Sequence, residues 1–190
     1  FLMGVDEGTT GCKAVLFDQN GNQIAVTSKE YLSYYPHAGW VEQDIYEIKE
    51  AVFYCIRETI KKSQVKPEDI VGISHSNQGI TMVLLDENEK PVSNRVIGWQ
   101  DLRYVDMLPE LRAEIDLDEY QKLSGMAFGT YNIPILRWIQ RYEPEKWKKV
   151  KRICCPHQFF SQSTDWFCFY HPGWFREIKM PLRCLILTVS

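Results

Sequence analysis

The first thirty residues contain three consecutive stretches whose pattern is typical of β-strands. "FLMGVD" is apolar, "CKAVLFD" alternates apolar and polar residues, and "QIAVTSKEY" follows the turn "QNGN". The Asn20-Gly21 pair in that turn suits a tight hairpin, because glycine adopts positive φ without steric cost. The pattern therefore predicts a three-stranded meander at the start of the chain.

A helix and further strands are predicted after the meander. Asp44 is a favourable N-cap residue, and the residues after it place apolar side chains at helical spacing. These residues are Ile45, Ile48, Val52, Cys55, Ile56, Thr59 and Ile60. The stretches that follow with the composition of short strands are "PEDIVGISHS", "ITMVLLD" and "RVIGW". A meander, a helix and then more strands indicate an α/β fold with a mixed sheet.

The pattern between residues 101 and 147 is mainly helical. "PILRWIQRYEPEKWKKV" places four apolar residues on one face before a break at Pro144. These residues are Ile135, Leu136, Ile139 and Tyr142. "KRICC" then predicts a short buried strand, and "PHQFF" begins a further turn.

Residues 161–190 lack the sequence patterns of helices and strands that the preceding chain shows. They hold six aromatic residues with no steady period and no capping residue at a helix start: Trp166, Phe167, Phe169, Tyr170, Trp174 and Phe175. We interpret residues 1–160 as one domain and residues 161–190 as an atypical tail, either frameshifted or irregular. A short aromatic subdomain is the alternative.

Charge and cysteine usage narrow the classes of partner. The net charge is −3 and no basic block is present, so no nucleic-acid partner is expected. The longest apolar runs are far shorter than a membrane span, so no membrane partner is expected either. The six cysteines form no C-x-x-C pair and the four histidines are scattered. This pattern favours reduced cysteines in a cytoplasmic protein, and any metal is expected to arrive with a ligand.

The stretch "GVDEGTTGCKAVLFD", residues 4–18, places an acid, a glycine and two threonines between two strands. One interpretation is an ordinary polar hairpin, because these residue types are common in turns. A P-loop is excluded, because the chain has no G-x-x-x-x-G-K-[ST] motif. The other interpretation is a phosphate-binding hairpin. There Gly8 lets the backbone approach an anion, Thr9 and Thr10 donate hydrogen bonds, and Asp6 holds Mg²⁺ directly or through water.

Four stretches in order make a resemblance specific. They are residues 4–18, "PHAGWVEQD" (36–44), "GISHSNQGITMVLLDENEKPV" (72–92) and "VIGWQDLR" (96–103), with a weaker fifth match at 136–156. Together they resemble the N-terminal half of the FGGY carbohydrate kinases, the group that contains glycerol kinases and xylulokinases. The resemblance covers about residues 1–160.

The resemblance implies a fold and a nucleotide site. The implied fold is a ribonuclease H-like (actin-like ATPase) α/β domain, with a mixed five-stranded-type sheet flanked by helices and incomplete at the C-terminus. ATP would lie in the cleft between two such domains. Asp6 would organise Mg²⁺, while Gly8, Thr9 and Thr10 would line the terminal phosphates. Lys13 is interpreted as an outward-facing residue of the second strand rather than a phosphate ligand.

The resemblance also implies a sugar-binding loop at Asn77, Gln78 and Gly79. Glycerol kinases resemble one another in an Arg-Glu pair at positions 77 and 78, and this chain lacks that pair, which counts against glycerol. Xylulokinases carry Met-His followed by Gly there, and only Gly79 agrees. The neutral amides suit an uncharged polyol or open-chain sugar, although they could instead cap the strand end.

The stretch "WQDLR" is similar to the W-x-D-x-R stretch of the family. Trp99 would wall the sugar pocket, and Asp101 would accept hydrogen bonds from sugar hydroxyls. Arg103 is placed in the same substrate site, where it is expected to orient Asp101 through an ion pair. In "GWVEQD", Trp40 is expected to pack and Asp44 to cap a helix.

The function implied is phosphoryl transfer from ATP to a hydroxyl of a small sugar or polyol. No catalytic base is assigned in this chain, because the family's general-base aspartate is expected farther downstream and Asp165 does not sit in a matching motif. The chain is therefore expected to be an N-terminal fragment that is inactive alone. The alternative is a non-catalytic sugar- or nucleotide-binding module acting through oligomerisation. Uncovered sheet edges leave room for a homodimer.

Overall fold

A computed structural model describes residues 1–125, 128, 132–161, 169–170 and 186–187. The chain divides into two compact units. The first unit contains residues 1–33, 43–79 and 155 onward, and the second contains 34–42 and 80–154. Apart from residues 161, 169–170 and 186–187, the predicted tail 161–190 lies outside the described residues, and Asp165 lies outside them too.

The early elements follow the predicted order. They are β1 (Leu2–Glu7), β2 (Gly11–Phe17), β3 (Gln23–Glu30), β4 (Ser33–Tyr34), β5 (Glu42–Asp44), α1 (Ile45–Ser63) and β6 (Gly72–Asn77). Shorter elements fill the rest of the described chain. They are β7 (Val83–Leu85), β8 (Arg95–Ile97), α2 (Leu108–Glu114), α3 (Leu117–Ser124), α4 (Asn132–Tyr142), α5 (Pro144–Trp147), β9 (Arg152–Cys154), α6 (Pro156–Ser161), β10 (Phe169–Tyr170) and β11 (Ile186–Leu187).

The main sheet of the first unit is mixed, as predicted. Its four strands lie in the order β3-β2-β1-β6 among the described residues. β2 runs antiparallel to both β1 and β3, whereas β6 runs parallel to β1. The turn between β2 and β3 contains Gly21 at φ 80°, the positive value that the Asn20-Gly21 pair predicted. The parallel pairing brings the carboxyl ends of β1 and β6 together.

Helix α1 begins as the sequence predicted. The Asp44 carboxylate accepts hydrogen bonds from the backbone N–H groups of Tyr46 (2.9 Å) and Glu47 (3.3 Å). The buried face of the helix consists of Ile45, Ile48, Ala51, Val52, Cys55 and Thr59. The Thr59 hydroxyl donates to the carbonyl oxygen of Ala14 in β2 at 3.2 Å. The helix therefore covers the face of the sheet on which the buried, alternating residues of β1 and β2 lie.

Gly11, the first residue of β2, is required by the close approach of β3. A Cβ at this position would lie 2.8 Å from the Lys29 carbonyl oxygen and 3.0 Å from the Glu30 Cα. We expect Gly11→Ala to lower the free energy of unfolding by about 1–3 kcal/mol, because backbone atoms must shift. Denaturant unfolding measures the change.

The matched control for that substitution is Gly79→Ala. A Cβ at residue 79 meets no atom within 4 Å. Its stability is expected to stay within about 0.5 kcal/mol of the native chain. Equal stability of the two variants would contradict the packing assigned to Gly11.

The second unit has its own core. β7 pairs antiparallel with β9. The core residues are Met82, Ile97, Tyr104, Met107, Leu111, Ile135, Trp138 and Ile139. The predicted apolar face of α4 needs one correction, because Trp138 is buried whereas Tyr142 is 59% exposed. Tyr142 is the last residue of the helix, and its ring lies against Trp138 at a centroid distance of 5.2 Å instead of entering the core.

The remaining predictions for the described chain concern cysteines and helices. Cys12, Cys55, Cys154 and Cys155 form no disulfide bond among the described residues. Cys154 closes β9 and is buried, whereas Cys155 follows the strand and is partly exposed. Across the described ranges, no helix combines the length and apolar character that crossing a membrane requires.

Candidate functional site

The β1–β2 loop, residues 8–10, forms a tight turn at the carboxyl end of β1. The backbone N–H of Gly8 donates to the Gly11 carbonyl oxygen at 3.0 Å, which closes the turn. A Cβ at residue 8 would stand 3.4 Å from that same oxygen, so glycine keeps the turn uncrowded. Thr9 is half-buried and Thr10 is exposed.

Each carbonyl oxygen of the β1–β2 loop is bonded to the protein. The Tyr31 hydroxyl donates to Gly8 O, the Gln43 side-chain amide donates to Thr9 O at 2.7 Å, and the Tyr31 backbone N–H donates to Thr10 O at 3.3 Å. In a trans peptide the N–H points opposite to the preceding carbonyl. The N–H groups of Thr9 and Thr10 therefore point away from the side where the carbonyls are held. A loop with this orientation can present N–H donors to an anion.

Asp6 and Glu7 end β1 on opposite faces of the sheet, because strand residues alternate. Asp6 is exposed, whereas Glu7 is completely buried. An exposed carboxylate beside a turn that can present N–H donors fits Mg²⁺, which proteins hold through one or two carboxylates together with phosphate oxygens and water. The donor set around the β1–β2 loop therefore fits both a nucleotide phosphate and its magnesium ion. Lys13 is exposed, as predicted.

Glu7 faces His75 of β6 in the interior of the first unit. Glu7 Oε2 and His75 Nε2 lie 3.5 Å apart, and both side chains are at most 2% exposed. Burial raises the pKa of Glu7 well above its ordinary value, an effect that Gln78 partly offsets and the charge of Asp6 increases. Burial likewise lowers the pKa of His75 to about 4, against the opposing charge of Asp6. Burial therefore favours the neutral form of both groups, and His75, with a pKa of about 4, is neutral near pH 7.

These two shifts give stability a defined pH dependence. Above pH 4.5 the unfolded chain releases the Glu7 proton that the folded chain keeps, so stability falls as pH rises toward the raised pKa. From pH 6.5 down to about 4, His75 binds a proton in the unfolded chain but not in the folded chain. Stability therefore also falls as pH falls. We expect Glu7→Gln to be about 1–3 kcal/mol more stable than the native chain at pH 8.

Urea unfolding at a series of pH values measures this difference. The gain from Glu7→Gln should shrink to nothing below pH 4.5, where Glu7 is protonated in both states. The loss of stability on the acid side should remain in the variant, because His75 is unchanged. A constant difference at every pH would contradict the assignment.

The predicted sugar loop follows β6 in the first unit. The backbone N–H of Gln78 donates to the Glu7 carbonyl oxygen at 3.0 Å, and its side-chain amide donates to Gln43 Oε1 at 2.7 Å. Gln78 is 8% exposed. Asn77 is half-buried, and its amide nitrogen donates to no acceptor in the described part of the chain. Gly79 is exposed. The geometry favours the alternative for Gln78, a strand-end role. The Asn77 amide nitrogen is itself buried, whereas the backbone of Gly79 is exposed.

The predicted substrate residues Asp101 and Arg103 are buried in the second unit. Asp101 is completely buried, and its carboxylate accepts from the Val41 backbone N–H at 2.7 Å and from both the backbone and the guanidinium of Arg103 at 2.9 Å. Arg103 also donates to Glu42 at 2.8 Å and stacks on the Trp40 ring at 3.9 Å. A sugar hydroxyl would have to displace these partners, so the geometry favours positioning over direct contact for both residues.

Trp99 lies in the segment that the Asp101–Arg103 ion pair holds. Gly98 N–H donates to the Val41 carbonyl oxygen at 2.9 Å, and Leu102 N–H donates to the Gly39 carbonyl oxygen at 2.8 Å. The Trp99 side chain is 44% exposed. An exposed indole on a firmly bonded segment suits the predicted role of a pocket wall.

The predicted residues therefore fall into two sets. The first unit holds Asp6, Gly8, Thr9, Thr10, Asn77, Gln78 and Gly79, and the second holds Trp99, Asp101 and Arg103. In the first unit, the register Glu7↔Asn77 brings the β1–β2 loop and the sugar loop to the same end of the sheet.

Two residues of the site were missed in the sequence, Tyr31 and Gln43. Both bond carbonyl oxygens of the β1–β2 loop. Tyr31 was assigned to the third strand, and Gln43 belongs to the "GWVEQD" stretch that was interpreted as structural. The only sequence signal was that Gln43 directly precedes the N-cap residue Asp44. A single amide residue forms no periodic pattern, so the sequence did not reveal its role.

Comparison with known proteins gives consistent matches. A model of the FGGY family of carbohydrate kinases, N-terminal domain, matches residues 1–169. Glycerol kinase of Thermococcus onnurineus is 31% identical over 152 residues, which cover 80% of this chain and 31% of that protein. Glycerol kinase of Carboxydothermus hydrogenoformans is 36% identical over 132 residues, covering 69% of this chain and 26% of that protein.

Solved structures agree on the fold. A xylulose kinase from Rhodospirillum rubrum superposes with a TM-score of 0.78 at 26% identity, covering 84% of this chain and 33% of that one. A Plasmodium falciparum glycerol kinase solved with ADP superposes with a TM-score of 0.75 at 24% identity, covering 83% and 33%. These neighbours confirm the predicted actin-like ATPase fold.

The matches cover most of this chain but only part of each relative. The chain spans about a third of the length of the curated relatives that it matches. The family match, in contrast, runs through nearly all of the described chain and includes the β1–β2 loop, the sugar loop and the Trp99 segment. The chain belongs to the FGGY family of carbohydrate kinases and corresponds to that family's N-terminal domain.

Proposed function

We propose that this chain contributes nucleotide- and sugar-binding residues to an ATP-dependent carbohydrate kinase. In the proposed reaction a hydroxyl oxygen of a small sugar or polyol bonds to the γ-phosphorus of ATP. The bond from that phosphorus to the ADP oxygen breaks, and the hydroxyl loses its proton to a base. Such transfers need positioning and charge stabilisation more than covalent chemistry by the protein.

The observation that carries the proposal is the orientation of the β1–β2 loop. Its three carbonyl oxygens accept hydrogen bonds from Tyr31 and Gln43. The N–H groups of Thr9 and Thr10 therefore point to the opposite side of the loop. We assign the terminal phosphates of ATP to this side, where those N–H groups and the threonine hydroxyls would donate to the phosphate oxygens. The FGGY membership of the chain supports a nucleotide rather than another anion.

Asp6 is the residue we assign to magnesium. It is exposed at the end of β1, directly before the loop. When bound, Mg²⁺ would neutralise charge on the transferring phosphoryl group. The carboxylate of Asp6 would fix the position of the ion relative to the loop, either directly or through water.

The sugar side of the proposal rests on Asn77 and Gly79 in the first unit and, separately, on Trp99 in the second unit. Asn77 and the exposed backbone of Gly79 would serve hydroxyl groups, and the Trp99 indole would pack on an apolar sugar face. Asp101 and Arg103 would position Trp99 instead of touching the substrate. Gln78 would act within the protein, as its two hydrogen bonds support.

The proposal is tested by ADP release from the natural polypeptide that carries this sequence. With Mg²⁺ and ATP present, each of glycerol, several pentuloses, several polyols and gluconate is supplied in turn. We expect one uncharged sugar or polyol to raise ADP release well above the rate without an acceptor. The absence of the Arg-Glu pair at Asn77 and Gln78 predicts that this acceptor is not glycerol, and strong glycerol activity would contradict that prediction.

The same panel separates the kinase from a binding module. Isothermal calorimetry with the same compounds records sugar and Mg-ATP binding independently of turnover. Binding of both with no acceptor-dependent ADP release would overturn the kinase assignment and favour a non-catalytic module acting through oligomerisation.

A further inference from the structure

We propose that Gln43 is a positioning residue for the nucleotide phosphates, acting through the backbone of Thr9. Gln43 and Gln78 together form what we call the amide relay, the pair of side-chain amides that links the β1–β2 loop to the end of β6. The inference rests on the proposed function, because it gives the orientation of the loop a catalytic purpose.

The geometry of Gln43 fixes the direction of its amide. The side chain is 1% exposed, and its Oε1 accepts from Gln78 Nε2 at 2.7 Å. Because Oε1 is occupied by a donor, Nε2 must face the other way, where it donates to Thr9 O at 2.7 Å. A flipped amide would place two donors together and two acceptors together, so the protein specifies one orientation.

The relay closes a ring of hydrogen bonds around the start of the loop. Gln78 N–H donates to the Glu7 carbonyl oxygen at 3.0 Å, while the Gln78 side chain leads through Gln43 to Thr9 O. Glu7, Gly8 and Thr9 complete the ring through the backbone. The peptide between Thr9 and Thr10 cannot rotate without breaking the partly buried Gln43–Thr9 hydrogen bond, which is costly when its partners are left unpaired.

The relay is anchored at the start of α1. Gln43 lies directly before Asp44, whose carboxylate caps α1 through two backbone N–H groups. The helix is 19 residues long and packs its buried face on the sheet. The relay therefore fixes the loop relative to α1, so that the N–H groups of Thr9 and Thr10 are oriented before a nucleotide binds.

The test begins with the loop itself and uses the natural polypeptide that carries this sequence in two forms, native and Gln43→Met. Methionine preserves the approximate volume of the side chain but neither donates to Thr9 O nor accepts from Gln78. We expect ¹⁵N relaxation order parameters at Thr9 and Thr10 to fall from about 0.85 to below about 0.6. The exposed Gln23, substituted in the same way as Gln23→Met, should leave both values unchanged.

Mg-ATP affinity is then measured by calorimetry on the same proteins. Loss of one positioned backbone contact is expected to weaken binding about five- to tenfold in Gln43→Met and not at all in Gln23→Met. Gln78→Met should weaken it less, and Gln43→Met with Gln78→Met should be no weaker than Gln43→Met alone, because members of one relay are not additive. Gln78→Met supplies the same readout from the other end of the relay if Gln43→Met does not fold.

The outcomes separate the relay from the proposed function. Unchanged order parameters at Thr9 and Thr10 in Gln43→Met and Gln78→Met would overturn the relay, whatever the nucleotide does. Additive weakening in the double variant would overturn it as well. Failure of the native polypeptide to bind Mg-ATP would instead overturn the proposed function, because loop order is measured without any nucleotide.

Discussion

Asp6→Asn is expected to abolish phosphoryl transfer in the natural polypeptide while leaving sugar binding intact. The substitution keeps the size of the side chain and removes the charge that we assign to magnesium. Charge stabilisation by a bound cation contributes several kcal/mol to such transition states, so kcat should fall at least about 100-fold. Steady-state ADP release gives kcat, and calorimetry gives the affinity for the acceptor identified in the panel.

The control for this prediction is Asp106→Asn. Asp106 is also exposed, but it lies in the short 3₁₀ turn Val105–Met107 of the second unit. Its removal should leave kcat and sugar affinity unchanged. Equal loss of turnover and of sugar binding in Asp6→Asn would show that Asp6 supports the fold or the sugar instead of the metal.

The second large effect is expected from Arg103→Leu, which should lower the free energy of unfolding by about 3–5 kcal/mol. The substitution leaves the completely buried Asp101 carboxylate without its guanidinium partner and removes the stacking on Trp40. Thermal unfolding followed by circular dichroism should show a fall in Tm of about 10 °C.

Arg57→Leu provides the matched control for Arg103→Leu. Arg57 pairs with Glu50 at 2.9 Å, a similar distance, but the two side chains are 60% and 59% exposed. Exposed pairs contribute at most about 1 kcal/mol, so the control should be nearly as stable as the native chain. A similar loss in both variants would mean that the Asp101–Arg103 pair has no special role in the second unit.

Local patterns in the sequence were sufficient for the elements that position the site. An apolar run predicted β1, alternation predicted β2, and the stretch after the Asn20-Gly21 turn predicted β3. The Asp44 cap with helical spacing predicted the start of α1. Because these signals are local, they depend little on what packs against them. The β1–β2 loop was identified by residue type and by the family resemblance, and its position at the end of β1 followed from the strands.

Side-chain partners were harder to predict, because they depend on long-range pairing. Asp101 and Gln78 have residue types that suit a sugar site, yet their hydrogen bonds go to Arg103, Val41 and Gln43. Glutamate usually lies on the surface, but the parallel pairing of β1 with β6 places Glu7 opposite buried His75. Only the tertiary arrangement distinguishes such residues from ligand contacts.

The most direct test of the account is a crystal structure of the natural polypeptide with a non-hydrolysable ATP analogue and Mg²⁺. We expect the terminal phosphates to accept hydrogen bonds from the Thr9 and Thr10 N–H groups, with the magnesium ion held by Asp6 directly or through one water. A nucleotide bound elsewhere, with no phosphate at the β1–β2 loop, would contradict it.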